Sequence, residues 1–166
     1  MKGVKKLLFD ITSLFKIIEF KDFIHFIFLL FRNSFTVLKD GNMSSIDVKF
    51  GDKVRVKSGD KVLTLTSDRI LGQIREIWAR RVYSHGDFFE KIDDKCTILD
   101  MGANVGTFTL LTLAKLKVAR MICIEPNSEL NELFRQNVRH NFPNANVTLL
   151  NAFIGDFTEK QLQMMQ

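Results

Sequence analysis

The sequence predicts an α/β protein: three parallel strands in the order 3-2-1, preceded by an N-terminal helix and a small antiparallel β meander. Three observations predict it. Residues 97–106 read TILDMGANVG, an apolar strand that breaks at Asp100 into a turn carrying Gly102 and Gly106 and opens into the apolar run TFTLLTLAKL. A second apolar strand, ARMICIE, ends in Glu125. A helical pattern and a third strand, NVTLLNAFI, follow. Strands alternating with helices predict a parallel sheet, and right-handed crossovers set their order. Strand, glycine turn and helix also bring bare backbone and a helix N-terminus up to a nucleotide-like ligand.

The first 35 residues hold eight of the sixteen phenylalanines, and Phe23 to Phe31 reads FIHFIFLLF. That run is far short of the ~20 apolar residues that span a bilayer. Asp10, Glu19 and Asp22 interrupt what precedes it, and no small-residue cleavage pattern follows, so no secretory signal is expected. Leu7, Ile11, Leu14, Phe15 and Ile18 recur at helical spacing, with Lys5, Lys6 and Lys16 among the polar positions. Two readings stay open. One is a helix packed on the domain or on a second copy in a homo-oligomer. The other is an interfacial helix touching a membrane through residues 5–31.

From about Phe35 to Ser67 the apolar positions alternate: Ile46, Val48 and Phe50; Val54 and Val56; Val62, Leu63 and Leu65. Turn signals at Asp40-Gly41-Asn42, Gly51-Asp52 and Ser58-Gly59-Asp60 predict a meander. Ile70, Ile74, Ile77 and Trp78 then predict a helix. The first crossover helix is expected from about Gly106 to Lys117. The second begins near Asn127 or Ser128, either a competent N-cap, with the apolar stripe Leu130, Leu133, Phe134 and Val138, and ends at Phe142-Pro143. The chain thus divides into an N-terminal amphipathic segment (1–34), a meander with its linking helix (35–95) and a cofactor-type half-domain (96–166).

At 166 residues one domain is expected, and 46% apolar with 26% charged residues is the balance of a folded soluble protein. The net charge of +5 comes without a basic stripe interleaved with aromatics, so no nucleic-acid partner is expected. Cys96 and Cys123 read as a reduced, buried, cytoplasmic pair. His25, His85 and His140 lack ligand spacing, so no metal site is expected.

Asp100-Met-Gly-Ala-Asn-Val-Gly106, Glu125-Pro126-Asn127, Asn137, Asn141, Asn151-Ala152 and Gly155-Asp156 together resemble the FkbM-type methyltransferases over residues 75–160. These are class I enzymes of Rossmann-like fold that use S-adenosylmethionine (SAM), mostly to methylate oxygens of sugars or natural products. The resemblance implies SAM as cofactor and a glycan or small metabolite as substrate, and places an aromatic, here Tyr83, ahead of the first strand. The family carries a second half with further strands. Nothing after Gly155 corresponds to it, so the chain is expected to be a C-terminally truncated form, in need of a complementing chain or inactive.

SAM presents an adenosine, a sulfonium and an amino-acid tail. Gly102 and Gly106, lacking a Cβ, allow close approach of the tail, with Ala103 between them. Asp100 and Asn104 are placed to meet or orient its ammonium. Glu125 is placed to take the ribose hydroxyls, each such bond contributing roughly 1.5–3 kcal/mol. Asn151 and Ala152 match the family position beside the adenine edge, and Asp156 reads as a turn residue. No catalytic base is identified. Two rivals remain: an NAD-dependent dehydrogenase, though the turn lacks the third glycine of G-x-G-x-x-G, and a half-domain that acts by interaction.

Overall fold

The computed structural model describes residues 2–40, 42–84, 86–93, 95–118 and 120–155. His85 and Asp156 lie outside them. The N-terminal segment forms two helices rather than one, α1 (Lys2–Ile17) and α2 (Phe20–Arg32), followed by α3 (Ser34–Asp40) and α4 (Ser44–Phe50). The chain leaves α1 at Ile18 because its backbone is used elsewhere. Ile18 bridges Val56, and the Glu19 amide donates to the Arg55 carbonyl at 2.9 Å.

The expected meander is a two-stranded hairpin, β1 (Lys53–Ser58) and β2 (Lys61–Thr66), turned at Gly59 with φ +58°. Its third member, the 46–50 segment, is α4. Ile46 and Phe50 are buried while Val48 is exposed. Burial at i and i+4 with exposure between is a helical pattern, and a spacing of four satisfies period two as well.

The linking helix forms as expected. It runs as α5 (Ile70–Ile74), with Ile70, Leu71 and Ile74 buried, and continues into a π-helical turn over Arg75–Ala79 that buries Trp78. Arg75, the first residue of that turn, is buried. There Arg75 meets Asp10 of α1 at 3.3 Å and also pairs with Asp47 of α4, while Arg80 Nε donates to Asp10 at 2.9 Å. Gly72 admits the Asp47 carboxylate, since a Cβ there would lie 3.1 Å from its Oδ2. Buried ion pairs of this kind fix geometry more than they stabilise.

The second half is the three-stranded parallel sheet: β3 (Thr97–Met101), β4 (Arg120–Ile124) and β5 (Val147–Leu150), ordered β3-β4-β5 with β4 central. Asp100 stands opposite Cys123, and Met101 opposite Ile124. The crossovers are α6 (Thr107–Lys115) and α7 (Ser128–Asn141). Leu110, Met121, Cys123 and Phe134 are buried between them and the sheet.

Two asparagines join the halves. Asn137 Oδ1 accepts from the Thr66 amide at 2.8 Å, and its Nδ2 donates to the carbonyls of Thr66 and Val105, each at 2.9 Å. Asn141 Oδ1 accepts from the Thr64 amide at 2.8 Å and its Nδ2 donates to the Thr64 carbonyl at 2.7 Å. Four helical residues rise about 6 Å and two strand residues about 6.8 Å. The helix therefore presents its two amides in register with the outward backbone groups of β2, as a neighbouring strand does.

Candidate functional site

The site is built where β3 ends. Asp100 is buried, and Thr109 Oγ1, one turn into α6, donates to its Oδ2 at 2.7 Å. Burial pushes the Asp100 carboxyl above the usual aspartate range, and the Thr109 hydrogen bond partly opposes that. Beneath it, burial pushes the Cys123 thiol up to about 12, which makes it an inert core group. Cys96 is free and only partly buried, so the expected buried pair is one buried thiol and one half-exposed.

Past Met101 the chain turns back on the end of β4. The amides of Gly102 and Ala103 both donate to the Ile124 carbonyl, at 2.9 and 3.0 Å. Three residues of the turn are left-handed: Gly102 (φ +79°), Asn104 (φ 51°) and Gly106 (φ 84°). The two glycines serve different ends. A Cβ on Gly106 would lie 2.9 Å from the Phe134 ring, so this glycine lets α6 and α7 close on each other. A Cβ on Gly102 would meet nothing within 4 Å and would project into open space.

That space is a cleft of about 310 Å³. Asp100, Gly102, Ala103 and Asn104 form one wall, and Gln73 and Glu76 of the linking helix face them. Tyr83 and Phe108 stand at the rim in an edge-on pair, centroids 6.0 Å apart, with Tyr83 66% exposed. The linking helix is fastened to the turn by Thr107, whose Oγ1 donates to Gln73 at 2.7 Å and whose carbonyl accepts from Trp78 Nε1 at 3.2 Å.

Glu125, Gly106, Asn151 and Ala152 do not line the cleft. Glu125 is only 6% exposed, and both its oxygens are engaged: Oε2 accepts from the Asn104 amide and Oε1 from the Asn127 amide, each at 2.9 Å. The carboxylate thus braces the bend from behind and does not open onto the cleft with it. Asn127 caps α7, accepting from Glu129 and Leu130 at 2.8 and 3.1 Å. Asn151 Nδ2 donates to the carbonyls of Glu125 (3.1 Å) and Pro126 (2.7 Å), tying β5 to β4, and Ala152 beside it is exposed. Gln73 and Glu76 were missed in the sequence because the helix was read from its apolar face; the paired Thr107 gave no local signal.

A second cavity of about 300 Å³ lies among α1, α3, α4 and Arg75. Of its charged lining, Asp10, Asp47, Arg75 and Arg80 pair with one another, and Lys6 and Glu76 stand beside them.

No family model matches the chain, and no curated protein matches its sequence. Among solved structures, the chain is similar over 62% of its length to coclaurine N-methyltransferase bound to N-methylheliamine and SAH, with 17% identity and a TM-score of 0.36. It is similar over 69% of its length to the M. jannaschii tRNA m1G37 methyltransferase, with 16% identity and a TM-score of 0.38. The matches cover 27% and 39% of those two chains, well under half of either. Scores this low leave the reading of the chain to its own geometry.

Proposed function

We propose that the cleft at the end of β3 binds a nucleoside cofactor, and that the cofactor is SAM, as in the FkbM-type methyltransferases the sequence resembles. One observation carries the reading. Gly102 holds a left-handed backbone with its missing Cβ directed into open space, in a cleft it shares with the buried carboxylate of Asp100. A bare backbone beside a shielded carboxylate suits the ammonium of an amino-acid tail, because an ion pair gains strength as water is excluded.

In this reading Asp100 accepts from the tail's ammonium, and Gly102, Ala103 and Asn104 pass along the tail. Glu125 keeps the bend in shape and offers a ribose only the lone pairs left over from its two amide bonds. Asn151 and Ala152, at the end of β5 next to Glu125, border the adenine. Gly106 acts through helix packing. Bound SAM supplies an electrophilic methyl group, and the protein's contribution is to align it with an acceptor oxygen of a glycan or small metabolite.

Calorimetry on the full chain tests the reading. Heat is expected with SAM and with SAH, none with NAD, and none with SAM for Asp100→Ala. Heat with NAD alone identifies a dehydrogenase-type site and overturns the proposal.

A second reading has its own observation. The outer edge of β3 pairs with no strand among the described residues, and Leu99 and Met101, on the sheet face beside the cleft, are 54% and 61% exposed. An open apolar edge of this kind accepts a strand from another chain. The half-domain then acts with a complementing partner, and its activity depends on that partner's presence.

A further inference from the structure

We propose that the outer face of the N-terminal helices docks on a bilayer carrying anionic headgroups. The proposal is independent of the cofactor reading.

The helix α2 is apolar on two sides. Its inner side, with Phe26 and Leu29 buried, packs toward α4, where His25 meets the Phe50 ring at 5.1 Å. Its core contact is thus already made. Its outer side nonetheless carries Phe20, Ile24, Phe28 and Phe31 at i, i+4, i+8 and i+11, all exposed, Phe31 by 84%. Phe35 of α3 adds a further exposed ring, and Phe15 of α1 leans edge-on against Phe23, centroids 5.1 Å apart. A contiguous apolar patch of this extent on a soluble surface marks a binding face.

Charge says what binds. Two acids of this segment are neutralised by cations: Asp10 is fully buried on Arg75 and Arg80, and Asp22 is held by Arg55, accepting from its amide at 2.8 Å and its guanidinium at 2.7 Å, while Glu19 is half-buried. Lys5, Lys6, Lys16, Lys21, Arg32 and Lys39 are all exposed, against a single exposed acid, Asp40, between residues 5 and 40. A face that is both aromatic and cationic repels a second copy of itself and is drawn to an anionic surface, by about 1 kcal/mol per cation near the headgroups. No helix among the described residues is long and apolar enough to cross a membrane. The helices therefore lie on the surface, rings buried at the headgroup boundary and cations toward the phosphates.

Flotation of the full chain with vesicles tests this. With phosphatidylcholine containing 30% phosphatidylserine the protein is expected to float, and at least ten-fold less with phosphatidylcholine alone. Raising the salt weakens binding, and K16E/K21E or F20S/F28S/F31S lowers it at least ten-fold with an unchanged circular dichroism spectrum. If the triple variant does not fold, hydrogen exchange of the wild type decides: the α2 amides gain protection when the anionic vesicles are added. No flotation, flotation untouched by both variants, unchanged exchange, or a self-associated form that F20S/F28S/F31S makes monomeric each overturns the proposal.

Discussion

The hairpin and the parallel sheet treat their edges in opposite ways. The outer edge of β1 is covered by the Ile18–Glu19 backbone and by the Asp22 carboxylate, and that of β2 by the amides of Asn137 and Asn141. Among the described residues, neither β3 nor β5 has a strand on its outer side. Unpaired edges are templates for association, and covering them prevents it. The hairpin is a sealed scaffold, whereas the parallel sheet, which carries the candidate site, stays open to extension.

The comparison breaks most severely at Asn137. Asn137→Ala leaves the Thr66 amide and the Thr66 and Val105 carbonyls without partners, and is expected to cost roughly 3 kcal/mol in urea denaturation. A neutral result means that the Asn137 amide contributes nothing to joining the halves, and leaves that role to Asn141, Thr107 and apolar packing. Gly106→Ala comes next, at about 2 kcal/mol, because a Cβ in a left-handed residue must also displace the Phe134 ring. Gly102→Ala carries the backbone strain without the clash. It should melt above Gly106→Ala yet lose SAM binding, and the reverse order would remove Gly102 from the site.

Asp100→Asn has a smaller effect whose sign is informative. Folded Asp100 keeps its proton to higher pH than the unfolded chain does, because burial raises its pKa. Its contribution to stability is therefore complete below the ordinary aspartate range and is lost as pH rises through the raised value. The asparagine variant should be the more stable form at pH 7 and have no advantage at acid pH, measured by thermal melts across pH. It should also fail to bind SAM, while wild-type binding weakens on acidification as Asp100 takes up its proton. The smallest effect belongs to the exposed face of β3: Leu99→Lys with Met101→Lys should shift the unfolding free energy by no more than about 0.5 kcal/mol. A large loss of stability, or a change of oligomeric state on a sizing column, would show that face to be covered in solution.

Much of the parallel half was legible in the sequence because its signals are local. The glycine turn, the Asn127 cap and the Leu130–Val138 stripe each declare themselves within a few residues, and the strand order follows from chirality. The 46–50 segment misled because burial every fourth residue fits both periods. What stayed hidden depends on distant partners. Asn137 and Asn141 serve β2 across more than 70 residues, and Asp10 meets Arg75 across 65. The position of Glu125 at the end of its strand was readable, but not that two backbone amides engage its oxygens.

The joint between the halves also dictates which side chains can occupy it. Each of the two asparagines gives and takes at once, so its nitrogen is as necessary as its oxygen. An aspartate has the same shape, but it would set a second negative oxygen against carbonyls at Thr66 and Thr64 that can only accept. Positions 137 and 141 are thus closed to acids, and the registration of α7 against β2 needs both atoms of each side-chain amide.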